Sequence, residues 1–397
     1  MNRRAAIGVL TTAILTGCLG LEETEPRSEQ SQDGNDTSVP RSTETDTPDD
    51  SASERQNSTG WTFESESPLS GPALGAERVY IGSLDQTLYA IDSESGEVDW
   101  TVESSEFEST GYDFGTPLLA GDYIYARSNR EVLRIERSNG EVVGQLDSGF
   151  VTGTTELVVT SGGPGAGITA YDPANDTPIW QSDVQPLGKT YVPVLGDDIV
   201  VFGSVFDYVD APDADRDKDT RVFALDRDSG EKLWHFTPDK FVGRSIGVAF
   251  GICDGTVAIA DEEGAIFAVD ATDGSIFWKQ DIDRRGSGSL APQPTMFDDV
   301  LLFATGDIYA VDTETGDIQW TISREAINVT DFPPVRNNEI WIPTGDYFEP
   351  SKLISVDISG EVQNEYEFST GYEKLPVIGT ESFYIGHTDQ TLRKYSK

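Results

Sequence analysis

The stretch Tyr89-Ala90-Ile91-Asp92-Ser93-Glu94-Ser95-Gly96-Glu97-Val98-Asp99-Trp100 decides the fold, because the chain repeats its frame. Phe223-Ala224-Leu225-Asp226 runs on to Gly230 and Trp234, Phe267-Ala268-Val269-Asp270 to Gly274 and Trp278, and Tyr309-Ala310-Val311-Asp312 to Gly316 and Trp320. Asp and Trp are 8 residues apart each time, and Asp172 and Trp180 keep that spacing in a weaker copy. Leu133-Arg134-Ile135-Glu136 keeps the frame through Gly140 but has Gly144 where Trp is expected. Ile354-Ser355-Val356-Asp357 reaches Gly360 one residue early and lacks the Trp, and Leu392-Arg393-Lys394-Tyr395 stops before its turn. Asp92 to Tyr395 is seven steps over 303 residues, about 43 per step, which is the period of a propeller blade.

Each unit reads as four short antiparallel strands. A proline announces the first: Pro72, Pro117, Pro193, Pro294, Pro334 and Pro376. A β-branched and aromatic run such as Val79-Tyr80-Ile81 forms the second, and the Tyr-Ala-Ile-Asp segment the third. The Asp opens a tight turn whose Gly can take positive φ. The fourth strand carries the Trp, a large aromatic that wedges each blade against its neighbour. Trp61, Trp100, Trp180, Trp234, Trp278 and Trp320 are therefore expected as blade-docking residues. No blade hides both faces alone, so the blades must close into a ring. The eighth unit lacks its last strand, and Trp61-Thr62-Phe63 supplies it. The expectation is an all-β, eight-bladed propeller of four-stranded antiparallel blades over residues 61–397, sealed by the N-terminal strand near Trp61.

These repeats resemble the pyrroloquinoline-quinone (PQQ) repeat, and their eight-fold use resembles a PQQ-like β-propeller. The resemblance covers 337 of 397 residues. It implies a fold, not a quinone. Dehydrogenases of that family stack the cofactor on a bridge between adjacent cysteines and hold Ca²⁺ with Glu, Asn and Asp. Cys18 and Cys253 are the two cysteines here, and there is no Cys-x-x-Cys-His haem motif. Cys253 reads as a small buried hydrophobe. No cofactor is expected.

Composition sets the environment. The formal net charge is −42, from 28 Lys plus Arg against 70 Asp plus Glu. Nucleic acid is excluded as a partner, because phosphate neutralisation needs clustered cations. Near 1 M salt the screening length is about 3 Å, which quenches such self-repulsion. With 9 Lys against 19 Arg, the pattern is that of an extreme halophile.

Residues 1–17 read as a signal peptide: Arg3-Arg4, an apolar run from Ala5 to Leu15, then Leu15-Thr16-Gly17-Cys18, which resembles a lipobox. Twin Arg points to export in the folded state, and Cys18 is the expected lipidation site. The whole resembles a haloarchaeal cell-surface lipoprotein, anchored on the outer face of the cytoplasmic membrane. Residues 18–60 are a tether. Its positions 19–60 hold 11 Asp or Glu, 13 Ser or Thr and no aromatic residue, so the segment cannot offset its ordering entropy. Its reach as a coil is on the order of 35 Å. Asn35, Asn57, Asn175 and Asn328 stand in Asn-X-Thr sequons and are candidate glycan acceptors.

Three functions compete. The favoured one is a non-enzymatic binding or assembly scaffold, a monomeric propeller whose partners are envelope or membrane proteins. It is similar in class to the lipoprotein of the bacterial β-barrel assembly machinery. The second is a solute or glycan receptor at the propeller mouth. Lys189, Arg244 and Lys374 recur before first strands and mark a possible anion site, but Asp113, Asp331 and Glu373 share that zone and point to internal charge pairing. The third, a quinoprotein dehydrogenase, lacks its cysteine pair. Asp213, Asp215, Asp217 and Asp219 alternate in an insertion and resemble the start of a Ca²⁺ loop, yet Lys218 stands where its Gly is needed, so a solvated acidic loop is expected. Asp346-Tyr347-Phe348-Glu349-Pro350 is a second insertion with contact potential. With His235 and His387 as the two histidines, no catalytic triad assembles.

Overall fold

A computed structural model shows the architecture. It describes residues 59–397 apart from 104–114, 129–130, 147–148, 163–166, 176, 185–188, 191, 206–219, 237–248, 254, 261–264, 283–293, 298, 306, 323–333, 345–350 and 373. Eight antiparallel sheets follow one another along the chain, and no helix occurs among the described residues. Blades 1 to 7 occupy residues 73–103, 118–146, 149–181, 189–236, 249–281, 295–322 and 335–367; blade 8 joins residues 377–396 to the strand Thr59–Glu64. In blade 4 the innermost strand is split into Lys189–Thr190 and Val194–Leu195, both paired with Ile199–Val205.

Each proline expected to announce a first strand stands immediately before one, as Pro72 does before Ala73–Leu74 and Pro376 before Val377–Ile378. Proline lacks the N–H that a ladder needs, so it suits a strand's first position. The third strands run through the interior of each blade; Ala265–Asp270 of blade 5 is buried at every position but its Asp, whereas Ile168–Asp172 of blade 3 mixes buried with half-buried positions. The fourth strands form the outer edge, and most of their side chains are exposed.

The core is eight clusters, one at each blade junction. Blades 1 and 2 share Ala73, Leu88, Val102, Leu119, Ile124 and Ile135. Blades 5 and 6 share Ala258, Ile266, Met296, Leu301 and Phe303. The ring closes where Val79, Ile81 and Ile91 of blade 1 meet Val377, Tyr384 and Leu392 of blade 8, with Trp61 and Phe63 packed on them. Closure follows the expected path. Trp61 pairs with Lys394 and Phe63 with Leu392, so the N-terminal strand is the outer strand of the last blade.

This closure predicts a sharp truncation boundary. A chain starting at Thr59 should melt like the chain that carries residues 1–58. One starting at Ser65 loses Trp61 and Phe63 from the closing cluster and should lose about 3 kcal/mol or more, by the cost of deleting large aromatics. Thermal melts of the two truncations check it.

Candidate interaction face

The strand order separates the two ends of the propeller chemically. First-to-second and third-to-fourth connections leave each blade at one end; second-to-third and blade-to-blade connections leave at the other. At the first end no connection exceeds five residues, the longest being segments such as 93–97 and 227–231. These turns contain no aromatic residue, and each except Asn337-Asn338 carries an acid.

The third-to-fourth turns are built alike. Asp92 Oδ1 accepts hydrogen bonds from the Ser95 N–H at 2.7 Å and from Ser95 Oγ at 2.9 Å, and the Gly96 N–H closes onto Asp92 O at 2.9 Å. Bonds from the backbone and hydroxyl of Ser95 hold the Asp92 carboxyl below its ordinary value; Asp226, Asp270, Asp312 and Asp357 are lowered by the same kind of bonds. Gly96, at φ 77°, then lies under the indole of Trp61 from the preceding blade, so a Cβ there would meet Trp61 Cγ at 2.7 Å. Trp100, Trp180, Trp234, Trp278 and Trp320 sit likewise on Gly140, Gly230, Gly274, Gly316 and Gly360. Each of these six indoles thus rests on the glycine of the next blade's turn. Five also donate Nε1–H to the carbonyl just after that blade's Asp: Trp61 to Ser93, Trp180 to Arg227, Trp234 to Ala271, Trp278 to Thr313 and Trp320 to Ile358, at 2.7–3.1 Å. Trp100 stacks without this bond.

Blade 2 replaces the device with a cation and blade 8 adds a cation beside it, and the repeat pattern hides both. Opposite each motif Trp stands the small Ala of the third strand, as Ala170 stands opposite Trp180. In blade 2 the pair is inverted: Arg134 faces Gly144. Arg134 is 5% exposed, lies 3.5 Å over the Tyr123 ring, and donates Nη2 to Pro173 O at 2.7 Å. Pro173 O is the same post-Asp carbonyl that indoles reach elsewhere. In blade 8 Lys394 takes the Ala position and gives Nζ to Ser93 O at 2.9 Å, beside Trp61 and the Tyr384 hydroxyl.

The other end is different. There the strand ends are joined by residues 104–117, 206–219, 237–248, 282–294, 323–334 and 345–351, among others. Phe107, Tyr112, Phe114, Tyr208, Tyr347 and Phe348 lie in these segments. Two hairpins at this end are described in full. In blades 1 and 8, Ser83-Leu84-Asp85-Gln86 and His387-Thr388-Asp389-Gln390 take the same form, with Gln86 at φ 67° and Gln390 at φ 66°. Leu84 is exposed at the tip of the first. In the second, His387 is 1% exposed; its Nδ1 lies 2.9 Å from Thr370 Oγ1 and 3.2 Å from Gly371 O, and its Nε2 lies 2.8 Å from the Tyr395 hydroxyl. This histidine ties a blade-to-blade connection to the last blade.

The direction of the closing strand fixes the end at which Thr59 stands. Thr59 pairs with Tyr395 and Glu64 with Thr391, so the chain arrives at the short-turn end and leaves toward the other. The Lys397 N–H also bonds Glu381 O in a short turn at that same end. Thr59 and Lys397 therefore both stand at the short-turn end, opposite the long connections.

Of the residues singled out in the sequence, Cys18, Asn35, Asn57, Arg244, Asn328 and Asp213, Asp215, Asp217 and Asp219 lie outside the described residues, as do Asp346–Pro350. The Lys189 backbone opens the split first strand of blade 4, with its side chain outside the description, and Lys374 is half-buried just before blade 8. Asn175 is exposed in the blade 3 turn. His235 lies on an exposed outer strand, its ring 6.4 Å from that of Phe223. Among the described residues no cluster of His, Cys, Asp and Glu could hold a metal, and no helix is long and apolar enough to cross a membrane. A cleft of about 450 Å³ between blades 1 and 2 at the short-turn end is lined by Glu77, Arg78, Tyr80, Asp122, Tyr123 and Arg137 among others. Its cations are engaged: Arg78 Nε pairs with Asp99 at 2.6 Å, and Arg137 Nη1 donates to Gly121 O at 2.9 Å.

Comparison with known proteins agrees with this architecture. Among solved structures, the computationally designed Ika8 protein superimposes with a TM-score of 0.64 at 15% identity, covering 84% of this chain and 98% of that one. The quinohemoprotein alcohol dehydrogenase of Comamonas testosteroni gives a TM-score of 0.61 at 13% identity, covering 85% and 76%. At such identities the likeness shows the fold alone. Outer membrane protein assembly factor BamB of Yersinia pestis is 25% identical over 269 residues, and the match spans 61% of this chain and 61% of that protein. A family model described as outer membrane protein assembly factor BamB matches residues 51–163 and 218–375. With most of its length under that model and its repeats closed into eight blades, the chain belongs to this PQQ-like repeat family.

Proposed function

We propose that this protein is a non-enzymatic scaffold, held outside the cytoplasmic membrane by lipid on Cys18, that presents its long-connection face to envelope proteins. The observation that carries the reading is the segregation of the two ends. One end has short acidic turns, and Thr59 and Lys397 stand there. The other gathers the long connections and their aromatic residues, the residue type that anchors protein interfaces. The relative from Yersinia pestis is named as an assembly factor, which fits a binding part without chemistry. No quinone is needed: with Cys18 assigned to lipid, Cys253 has no adjacent cysteine to stack one on. The −42 charge suits molar salt, and a tether of residues 18–60 lets the ring stand clear of an anionic lipid surface.

The test is cross-linking from native membranes in molar salt. The wild-type chain should capture a reproducible set of envelope proteins. Trimming residues 207–219 and 346–350 should reduce that capture by at least ten-fold, whereas Ser substitutions of Glu94, Asp228 and Glu314 in the short turns should leave it unchanged. Capture that survives trimming but falls with the short-turn substitutions would assign partner binding to the opposite face.

A further inference from the structure

One third-to-fourth turn breaks the pattern that the others share, and three departures coincide there. In blade 3 the turn reads Asp172-Pro173-Ala174-Asn175-Asp176-Thr177. Asp176 stands where a docked turn has its Gly. Thr177 replaces the next residue, which is acidic in most copies, as in Glu97, Glu141, Glu231, Asp317 and Glu361. The blade before it has Gly144 in place of Trp. At the docked turns an added Cβ would strike the neighbouring indole at 2.4–3.0 Å. This turn has no indole above it; the junction is closed from beneath by the buried Arg134. Asn175 and Thr177 make the sequence Asn-X-Thr, and it falls on the turn whose preceding blade has Gly144 in place of the docking Trp.

The turn also presents the asparagine in a usable form. Asn175 and Thr177 are both exposed. The Thr177 N–H donates to Asn175 Oδ1 at 3.0 Å, and Thr177 Oγ1 lies 3.4 Å from Asn175 O. The Thr177 N–H thus holds the Asn175 carboxamide, and the Thr177 hydroxyl is turned to the Asn175 backbone carbonyl. Asn175 Nδ2 donates to Asp172 Oδ2 at 2.8 Å. An amide nitrogen carries two protons, so one can be replaced while the other keeps that bond.

We propose that Asn175 is an N-glycosylation site of the folded protein. In the transfer, Asn175 Nδ2 attacks the anomeric carbon of a lipid-linked saccharide. The N–C bond forms as the bond from that carbon to the lipid (di)phosphate breaks. The phosphate leaves with the bonding electrons, and the displaced Nδ2 proton passes to a base of the transferase. Folding before export does not hinder this, because the acceptor lies on an exposed hairpin. The glycan then stands on the short-turn end, away from the long-connection face. The inference rests on the extracytoplasmic reading above, because lipid-linked saccharide donors serve exported chains.

The experiment is glycopeptide mass spectrometry of the full-length protein from its native membranes, with protease shaving of intact cells to establish its side of the membrane. A saccharide adduct on Asn175, lost in N175Q and in T177A and retained in T177S, is expected. Unchanged melting of N175Q would separate loss of the acceptor from loss of the fold. An unmodified Asn175 in protein that shaving reaches would overturn the site and leave the location standing. An unmodified Asn175 in protein protected from shaving would overturn both. Adducts confined to Asn35, Asn57 or Asn328 would also overturn it.

Discussion

Trp180→Ala should destabilise the propeller by about 3–5 kcal/mol, the usual cost of removing a buried tryptophan, because the indole is 8% exposed and bonded to Arg227 O at 2.7 Å. Gly230→Ala should cost about 3 kcal/mol: about 1–2 for an L-residue at positive φ, and the rest from a Cβ placed 2.4 Å from Trp180 Cε3. The double variant should be less damaged than the sum, by about 1–3 kcal/mol, since deleting the indole removes the clash and leaves the backbone strain. Gly121→Ala is the control. Its φ is 57°, but the nearest atom to a new Cβ is Thr155 O at 3.8 Å, so only the backbone part should appear. Denaturant titrations of the four variants at fixed salt measure the coupling. Additive losses would mean that indole and glycine do not bear on each other.

The same contact explains how much of the fold the sequence carried. Repeat length, proline positions and the Asp-to-Gly turn all follow from local rules, so strand order and ring closure were legible. The wedge role of Trp was legible too, but not that it rests on the glycine of the following blade. That pairing is nonetheless written in the chain: where Trp is absent at Gly144, the next turn has Asp176 in place of Gly. Arg134 and Lys394 were hidden because they occupy a slot that is Ala in five other blades. The register sets Arg134 against Gly144 and Lys394 against Trp61, and the hydrogen bonds take each cation to a post-Asp carbonyl, Arg134 in place of an indole and Lys394 beside one. The candidate face was the least legible part. Partner contacts lie in connections that do not repeat, so periodicity says nothing of them. Their end of the ring becomes apparent once the strand ends are placed.

His387 was invisible for a related reason: its partners come from separate segments, Thr370 and Gly371 before blade 8 and Tyr395 in its third strand. Its predicted signature is a loss of stability in mild acid. Burial, reinforced by the nearby Arg393 guanidinium, lowers its pKa from 6.5 to about 4, outweighing the attraction of Asp389. Between those values the unfolded chain binds a proton that the folded chain refuses, so stability falls as pH drops through that window. From pH 7 to pH 4.5 the loss from this group should be about 2–3 kcal/mol. The turn aspartates act in a lower window. Their folded pKa values lie below 3.8, so their contribution persists above that value and is lost only as pH falls through the folded ones. Asp389 behaves likewise: burial opposes its ionisation, but the Thr391 hydroxyl and the Arg393 charge hold it low. His387→Gln keeps a polar group beside Thr370 and Tyr395 and removes the titration. It should lower stability at pH 7 and flatten the fall between pH 6.5 and 4.5. Chemical denaturation of both proteins across that range, at one salt concentration, tests the assignment. An equally steep fall in the variant would place the titrating group elsewhere in the ring.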